Sequence, residues 1–204
     1  MPVRSPEMRA RLAESAFDLF ADQGFDGVNL EAIAAHAGVT KGSLYHHYNS
    51  KKEVVLASCR FYYRSWHRMI QERIAPVRDP LERLTAVLRL SVKTCLFDGR
   101  NRLFTASILA LSLMDEDVQA GWAQFYDSVR ETYVGLVEAA LAAGQLEVAE
   151  PRRAADLMLA AMEGIKQRAS FEPEIASEEE QQRILEDLLG ILGAGQPPAQ
   201  RGAA

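Results

Sequence analysis

Cysteine, proline, long apolar runs and strand-like alternation are all scarce in this chain, and each scarcity excludes something. Two cysteines occur in 204 residues, Cys59 and Cys95, far apart and in no metal-ligand spacing. Both fall on apolar faces of expected helices, which makes them small core residues, with a redox-sensing pair as the alternative. Only eight prolines occur, several beside helix starts or in tails. The apolar runs are far too short to span a bilayer. The amino terminus, MPVRSPEMRARL, lacks the apolar stretch of a secretion signal, so the expected location is the cytoplasm, with no membrane contact. No segment alternates as a strand of useful length, and no internal repeat is visible. There is no Gly-rich phosphate loop, no Ser or Cys has a base near it in sequence, and His67 is the only histidine after residue 52. Catalysis, a metal site and a bound cofactor are therefore not expected.

What is present is an ordinary composition, 48% apolar and 25% charged, enough for a sizeable core. The net charge of −5 argues, taken alone, against a nucleic-acid partner. Its distribution argues otherwise. Residues 1–52 hold six basic and six acidic side chains, and residues 53–204 hold 17 and 22, so the body carries the whole excess. Within residues 32–52 stand Lys41, Lys51 and Lys52, three histidines and no acid. A locally basic edge on an acidic body suits a protein that touches phosphates at one end.

The apolar periodicity is helical throughout and predicts an all-α chain of about nine helices. A loose arm at residues 1–5, whose Arg4 could reach along a DNA groove, precedes a first helix from about Pro6 to Gln23. Gly24 and Phe25 then form a Gly-plus-apolar stop, with Phe20 as the packing partner. Asn29 caps a second helix with Glu31 in its first turn. Gly38 and Val39 repeat the stop, and Thr40 at once caps a third helix. Ser50 and Glu53 form a capping box for a fourth helix reaching about Ile74. Along it, Arg60, Arg64 and Arg68 form a stripe that is a solvated face, pairs with acids, or faces DNA. Asp79-Pro80 opens a fifth helix stopping near Asp98-Gly99. The sixth covers about Arg102 to Leu113, and the seventh Asp115 to Ala143. The eighth begins at Glu150-Pro151 and is blocked by Pro173, and Ser177 with Glu180 opens the ninth. The domains expected are 1–50, 51–193 and a disordered tail, 194–204, too poor in apolar side chains to order itself.

The chain is organised around LEAIAAHAGVTKGSLYHHYNSK, Leu30 to Lys51. Two short helices joined by so tight a Gly-containing turn cross steeply, as in a helix-turn-helix. On a helix begun at Thr40, Leu44 and Tyr48 face the small core, and Gly42, Tyr45 and His46 point away. Gly42 removes a side chain where the backbone would meet a groove. Lys41 can reach a guanine edge or a phosphate, and Ser43 either kind of group. Tyr45, His46, His47 and Lys51 offer donors to phosphates.

The run GVTKGSLYHHYNSKKE, with FDLFADQGFDGVNLEAIAAHAGV before it, resembles the signature of the TetR/AcrR family of bacterial transcriptional regulators, over residues 8–56. Carried over residue by residue, the resemblance implies that Lys41, Gly42 and Ser43 approach bases while Tyr45, His46, His47 and Lys51 hold phosphates. It implies a helical body that binds a small-molecule effector and a two-fold dimer that places two recognition helices on palindromic double-stranded DNA. An effector favouring a wider spacing of those helices would release the operator. Repression is the expected outcome; activation is the alternative, and an all-α protein-interaction module is the alternative from another class.

Helices eight and nine have wide apolar faces that two copies could pair as a four-helix bundle. The candidate interface residues are Leu157, Ala161, Ile165, Ile184, Leu188 and Leu192. Candidate effector walls are Trp66, Met69, Ile70, Phe97, Phe104 and Ile108, with Trp122, Phe125, Tyr126, Met158 and Met162. That set is aromatic and Met-rich, so a largely apolar effector is expected, although Lys93, Arg100 or Arg102 could meet an acid.

Overall fold

The computed structural model describes residues 5–194; Arg4 of the expected arm and residues 195–204 of the expected tail lie outside them. The described residues are helical with no strand, as the periodicity predicts. Nine α-helices follow one another: α1 (Pro6–Gln23), α2 (Leu30–His36), α3 (Lys41–His47), α4 (Lys51–Ile74), α5 (Pro80–Ser91), α6 (Gly99–Ser112), α7 (Glu116–Ala142), α8 (Pro151–Arg168) and α9 (Glu178–Ile191). Packing groups them into two compact units, residues 5–69 with 99–125, and residues 70–98 with 126–194.

The first unit is built from local signals closed over an aromatic core. Ser5 accepts from the Met8 amide to start α1, and Gly24, at φ 70°, ends it by donating to the Phe20 carbonyl. Phe25 then packs edge-on against Phe20 at 4.9 Å between ring centroids. Asn29 and Thr40 cap α2 and α3 by accepting from the Ala32 and Ser43 amides. Between these helices Gly38 turns the chain at φ 64°, a conformation that a side chain would strain. Ser50 accepts from the Glu53 amide while the Glu53 carboxylate accepts from the Asn49 amide, the reciprocal pair that launches α4. Phe17 on α1, Phe25, Tyr62 on α4 and Phe104 on α6 meet at centroid distances of 4.8–6.0 Å.

The second unit is tied by its own caps. Asp79 accepts from the Glu82 amide at the start of α5. Gln145, just past α7, accepts from the Leu81 amide and donates to Asp79, which ties the end of α7 to the start of α5. The sequence predicts that the fifth helix continues to Asp98, but it widens at Val92–Leu96 into a π-helical turn. The fully buried Tyr133 hydroxyl of α7 donates to Ser91 at 2.8 Å immediately before that turn. A second short element absent from the periodicity is a 3-10 turn at Pro173–Ala176. After α9, Gly193 (φ 76°) lies so close to Glu147 that a Cβ would stand 2.2 Å from its carbonyl oxygen. Tyr133→Phe removes the donor to a buried Ser91 hydroxyl, and urea unfolding is expected to show a loss of about 1–2 kcal/mol. A loss below a few tenths would mean that the π-helical turn does not depend on this bond.

Candidate nucleic-acid interface

The α3 helix presents one face to solvent because its other face is fixed. Leu44 and Tyr48 are fully buried, and the Tyr48 hydroxyl donates to the Arg9 carbonyl of α1 at 3.0 Å. On the outer side Thr40, Lys41, Gly42, Tyr45 and His46 are exposed, while Ser43 and Lys51 are half-buried. A Cβ built on Gly42 would meet nothing nearer than the Thr40 hydroxyl at 3.9 Å. Internal packing therefore does not require glycine there, and an external surface approaching the backbone remains as a reason for it.

His47 differs from its expected place. It is only 5% exposed, on the same side of α3 as Leu44 three residues earlier, with the His46 ring edge-on at 5.3 Å. A side chain buried in this way presents little surface to a phosphate. Glu31, in the first turn of α2, is exposed. Its carboxylate accepts a hydrogen bond from Lys41, whose ammonium also lies 5.7 Å from the centroid of the Tyr45 ring. Hydrogen bonding to Lys41 holds the Glu31 carboxyl below its ordinary range, and the same bond raises Lys41. Lys52, counted in the basic edge, is instead held by Asp115 and Asp117 at 2.8 and 2.7 Å.

The candidate effector walls separate by unit. In the first, Trp66, Trp122 and Phe125 cluster with Tyr63; Tyr63 and Phe125 stack at 4.3 Å, and Trp66 lies edge-on to Phe125 at 5.7 Å. Met69 is half-buried beside this group in sequence. Phe104 and Ile108 are fully buried, and Phe104 belongs to the aromatic core already described. Arg100, kept as a possible partner for an acidic effector, pairs with Asp18 and Asp22 of α1. In the second unit Ile70, Met158 and Met162 are buried, and Phe97 and Tyr126 half-buried. Burial, followed by the nearby Glu163, pushes the Tyr126 phenol up, so it stays protonated.

The candidate dimer residues also divide. Leu157 is 56% exposed on α8, with Ala161 and Ile165 half-buried. Ile184, Leu188 and Leu192 are at most 5% exposed, because the apolar stripe of α9 is used within its own unit, where α9 packs on α5 and α8. Cys59 is buried, and desolvation pushes its thiol up to about 12, so its reactive thiolate is suppressed at neutral pH.

Two family models match the chain. One describes bacterial regulatory proteins of the tetR family and covers residues 12–58, which contain α2, α3 and the start of α4. The other describes the C-terminal region of BetI-type transcriptional repressors and covers residues 80–193, more than half of the chain. The chain belongs to the TetR family.

Among curated TetR-type relatives, the transcriptional repressor KstR2 of Mycolicibacterium smegmatis is 32% identical over 90 residues, 44% of each chain. The biofilm-operon negative regulator IcaR of Staphylococcus aureus is 38% identical over 47 residues, 23% of this chain and 25% of that one. The matched segments span less than half of these relatives. A transcriptional regulator from Saccharomonospora viridis, solved in complex with choline, superposes with a TM-score of 0.81 at 19% identity, over 91% of this chain and 97% of that one. A regulator from Pseudomonas aeruginosa PAO1 gives 0.75 at 22% identity, over 94% and 93%. At these identities the likeness concerns the fold. TetR-family proteins are DNA-binding transcriptional regulators, and repressors stand among the relatives of this one. Among the described residues, no helix of this TetR-family chain is long and apolar enough to cross a membrane.

Proposed function

We propose that the chain is a cytoplasmic repressor that binds a palindromic operator as a homodimer and releases it on binding a small effector. The observation that carries the reading is α3 itself, with its core face locked by Leu44 and Tyr48 and the other face holding Thr40, Lys41, Gly42, Tyr45 and His46 in solvent. Lys41, Gly42 and Ser43 approach base edges; Tyr45, His46 and Lys51 hold phosphates and fix register. The amino-terminal unit compensates for its lack of bulk positive charge by placing few contacts well and doubling them through the dimer. Leu157, Ala161 and Ile165 on α8 supply the pairing surface, and a monomeric mass by light scattering at micromolar concentration would overturn it.

The test of the DNA reading is a salt series on an operator selected from random duplexes. With several phosphates neutralised per half-site, affinity should fall by roughly a thousandfold or more between 50 and 200 mM salt, log-linearly. A flat response, or no preference for any palindrome, would favour a protein-interaction module.

The effector walls we favour are Trp66, Met69, Trp122 and Phe125. Their rings suit a largely apolar molecule, and burial lowers the neighbouring His67, which favours its neutral form. A second ligand class has a specific observation behind it. Aromatic faces also attract quaternary ammonium groups, and the regulator from Saccharomonospora viridis was solved with choline. Titrating the operator complex with an apolar alcohol and with choline, while following Trp66 and Trp122 emission, separates the two. Release of DNA by either compound without a change in emission would remove these walls.

A further inference from the structure

A groove of about 710 Å³ runs between α1 and α4 in the first unit, and four arginines, Arg9, Arg60, Arg64 and Arg68, line it. Arg60, Arg64 and Arg68 are exposed; Arg9 is half-buried, with its guanidinium 4.7 Å above the Tyr48 ring. Their charges converge, since Arg9, Arg60 and Arg64 all bear on the Tyr48 phenol at the base of the groove. Some arginines elsewhere are paired with acids, and others, such as Arg73 and Arg89, form no such pair among the described residues; what marks these four is that they share one groove. Arg100, Arg130, Arg152, Arg168 and Arg183 each reach a carboxylate. Among the described residues, no carboxylate forms an ion pair with the four in the groove. Four like charges thus stand together without a carboxylate counterion among the described residues, and an anion from outside would find them unpaired and add favourable pairing to the screening that solvent already gives.

The lining is not only cationic. Pro6 and Ala10 are exposed on the α1 side and Phe61 is half-buried on the α4 side, which gives the groove an apolar strip beside its charges. Its volume is that of a small-molecule site. Guanidinium forks match a carboxylate or a phosphate in two parallel hydrogen bonds, which a surface chosen only for solubility would not need. DNA is the less suitable occupant. At 1.5 Å of rise per residue, Arg64 and Arg68 lie roughly 20 and 25 Å along α4 from Lys51, the end of the helix beside α3.

We propose that this groove is a binding site for a small anionic amphiphile, with its carboxylate or phosphate head held between Arg60 and Arg64 and its apolar body on Ala10 and Phe61. The site is separate from the effector walls proposed above and does not depend on that assignment.

Calorimetric titration of the full chain and of an Arg60→Gln/Arg64→Gln variant tests it, with decanoate, decyl phosphate and decanol as probes. Decanoate and decyl phosphate should both bind the wild-type chain. The double variant should lose roughly tenfold or more of that affinity, the loss one charge-assisted hydrogen bond carries. Decanol should not distinguish the two proteins. The ratio of decanoate to decyl phosphate affinity then names the preferred head group. Equal affinity of both proteins for the anions would overturn the site, as would failure of both anions to bind. A third measurement tests the DNA alternative. Binding of the variant to a random-sequence duplex, without any amphiphile, should stay within about twofold of wild type, whereas a shallower salt slope would assign the arginines to phosphates and overturn the proposal. Removing two like charges from an exposed groove should leave the unfolding temperature no lower, so a folding defect would be visible and separable.

Discussion

Phe104→Ala should lower the unfolding free energy by about 3–5 kcal/mol and abolish DNA binding at temperatures where the wild-type chain still binds. Phe104 is fully buried on α6, and its ring meets Phe17 of α1 at 4.8 Å, Phe25 at 5.6 Å and Tyr62 of α4 at 5.3 Å. Three separate stretches of chain therefore rest on one side chain. Truncation removes the transfer free energy of the ring and leaves a void that rigid aromatic neighbours collapse into poorly. A domain whose total stability is of order 5–15 kcal/mol has little left after such a loss. Phe104→Leu fills most of the void and should cost far less. Urea unfolding of both variants, with operator binding measured on each, decides the matter. A Phe104→Ala protein of wild-type stability that had lost only effector affinity would return Phe104 to the ligand-pocket wall expected from the sequence.

That substitution marks where the sequence stopped being legible. Caps are local, so Asn29, Thr40, the Ser50–Glu53 pair and Asp79-Pro80 could be read directly, and with them the starts of α2 to α5. The recognition helix was legible for the same reason. An apolar stripe, by contrast, reveals which face of a helix is covered but not what covers it. The α9 stripe of Ile184, Leu188 and Leu192 suits a partner copy as well as its own α5 and α8, and the fold uses it for the latter. The aromatic residues of α4, α6 and α7 form one network, Tyr62 meeting both Phe104 and Phe125, through contacts made across tens of residues. The π-helical turn at Val92–Leu96 accompanies the Tyr133–Ser91 bond, formed across 42 positions. Arg100 and Lys52 found acids still farther away along the chain. His47 is the exception, since its spacing of three from Leu44 already placed it on the buried side of α3.

The same interface yields a pair of substitutions with opposite effects. Lys41→Ala should weaken operator binding by roughly tenfold to a hundredfold, the range for a base-edge or charged phosphate contact in a well-fitted site. Glu31→Gln should act the other way on random DNA, tightening it by roughly tenfold at low salt and steepening the salt slope by about one. The reason is the bond between the two. Glu31 sits at the start of α2 on the exposed surface that carries Lys41, and its carboxylate accepts from that ammonium in the free protein. A duplex approaching α3 meets a lysine already partly neutralised and an acid that repels phosphates. Only a contact good enough to draw Lys41 away, or a cytosine amino group donating to Glu31, compensates for that loss. On the proposed DNA reading, Glu31 is therefore expected to discriminate against indifferent sequence. Its pH dependence follows with a fixed sign. The bond to Lys41 depresses the Glu31 carboxyl below 4.5 in the folded chain, so the pairing is complete at neutral pH and lost only as pH falls through that depressed value. Over the range in which the operator complex is handled, the pair should act as a constant filter. Competition of the selected operator against random duplex, for wild type, Glu31→Gln and Lys41→Ala, measures that filter directly. If Glu31→Gln left the ratio of specific to random affinity unchanged, Glu31 would be a surface acid that merely happens to lie beside Lys41, and sequence choice would rest on Lys41, Gly42 and Ser43 alone.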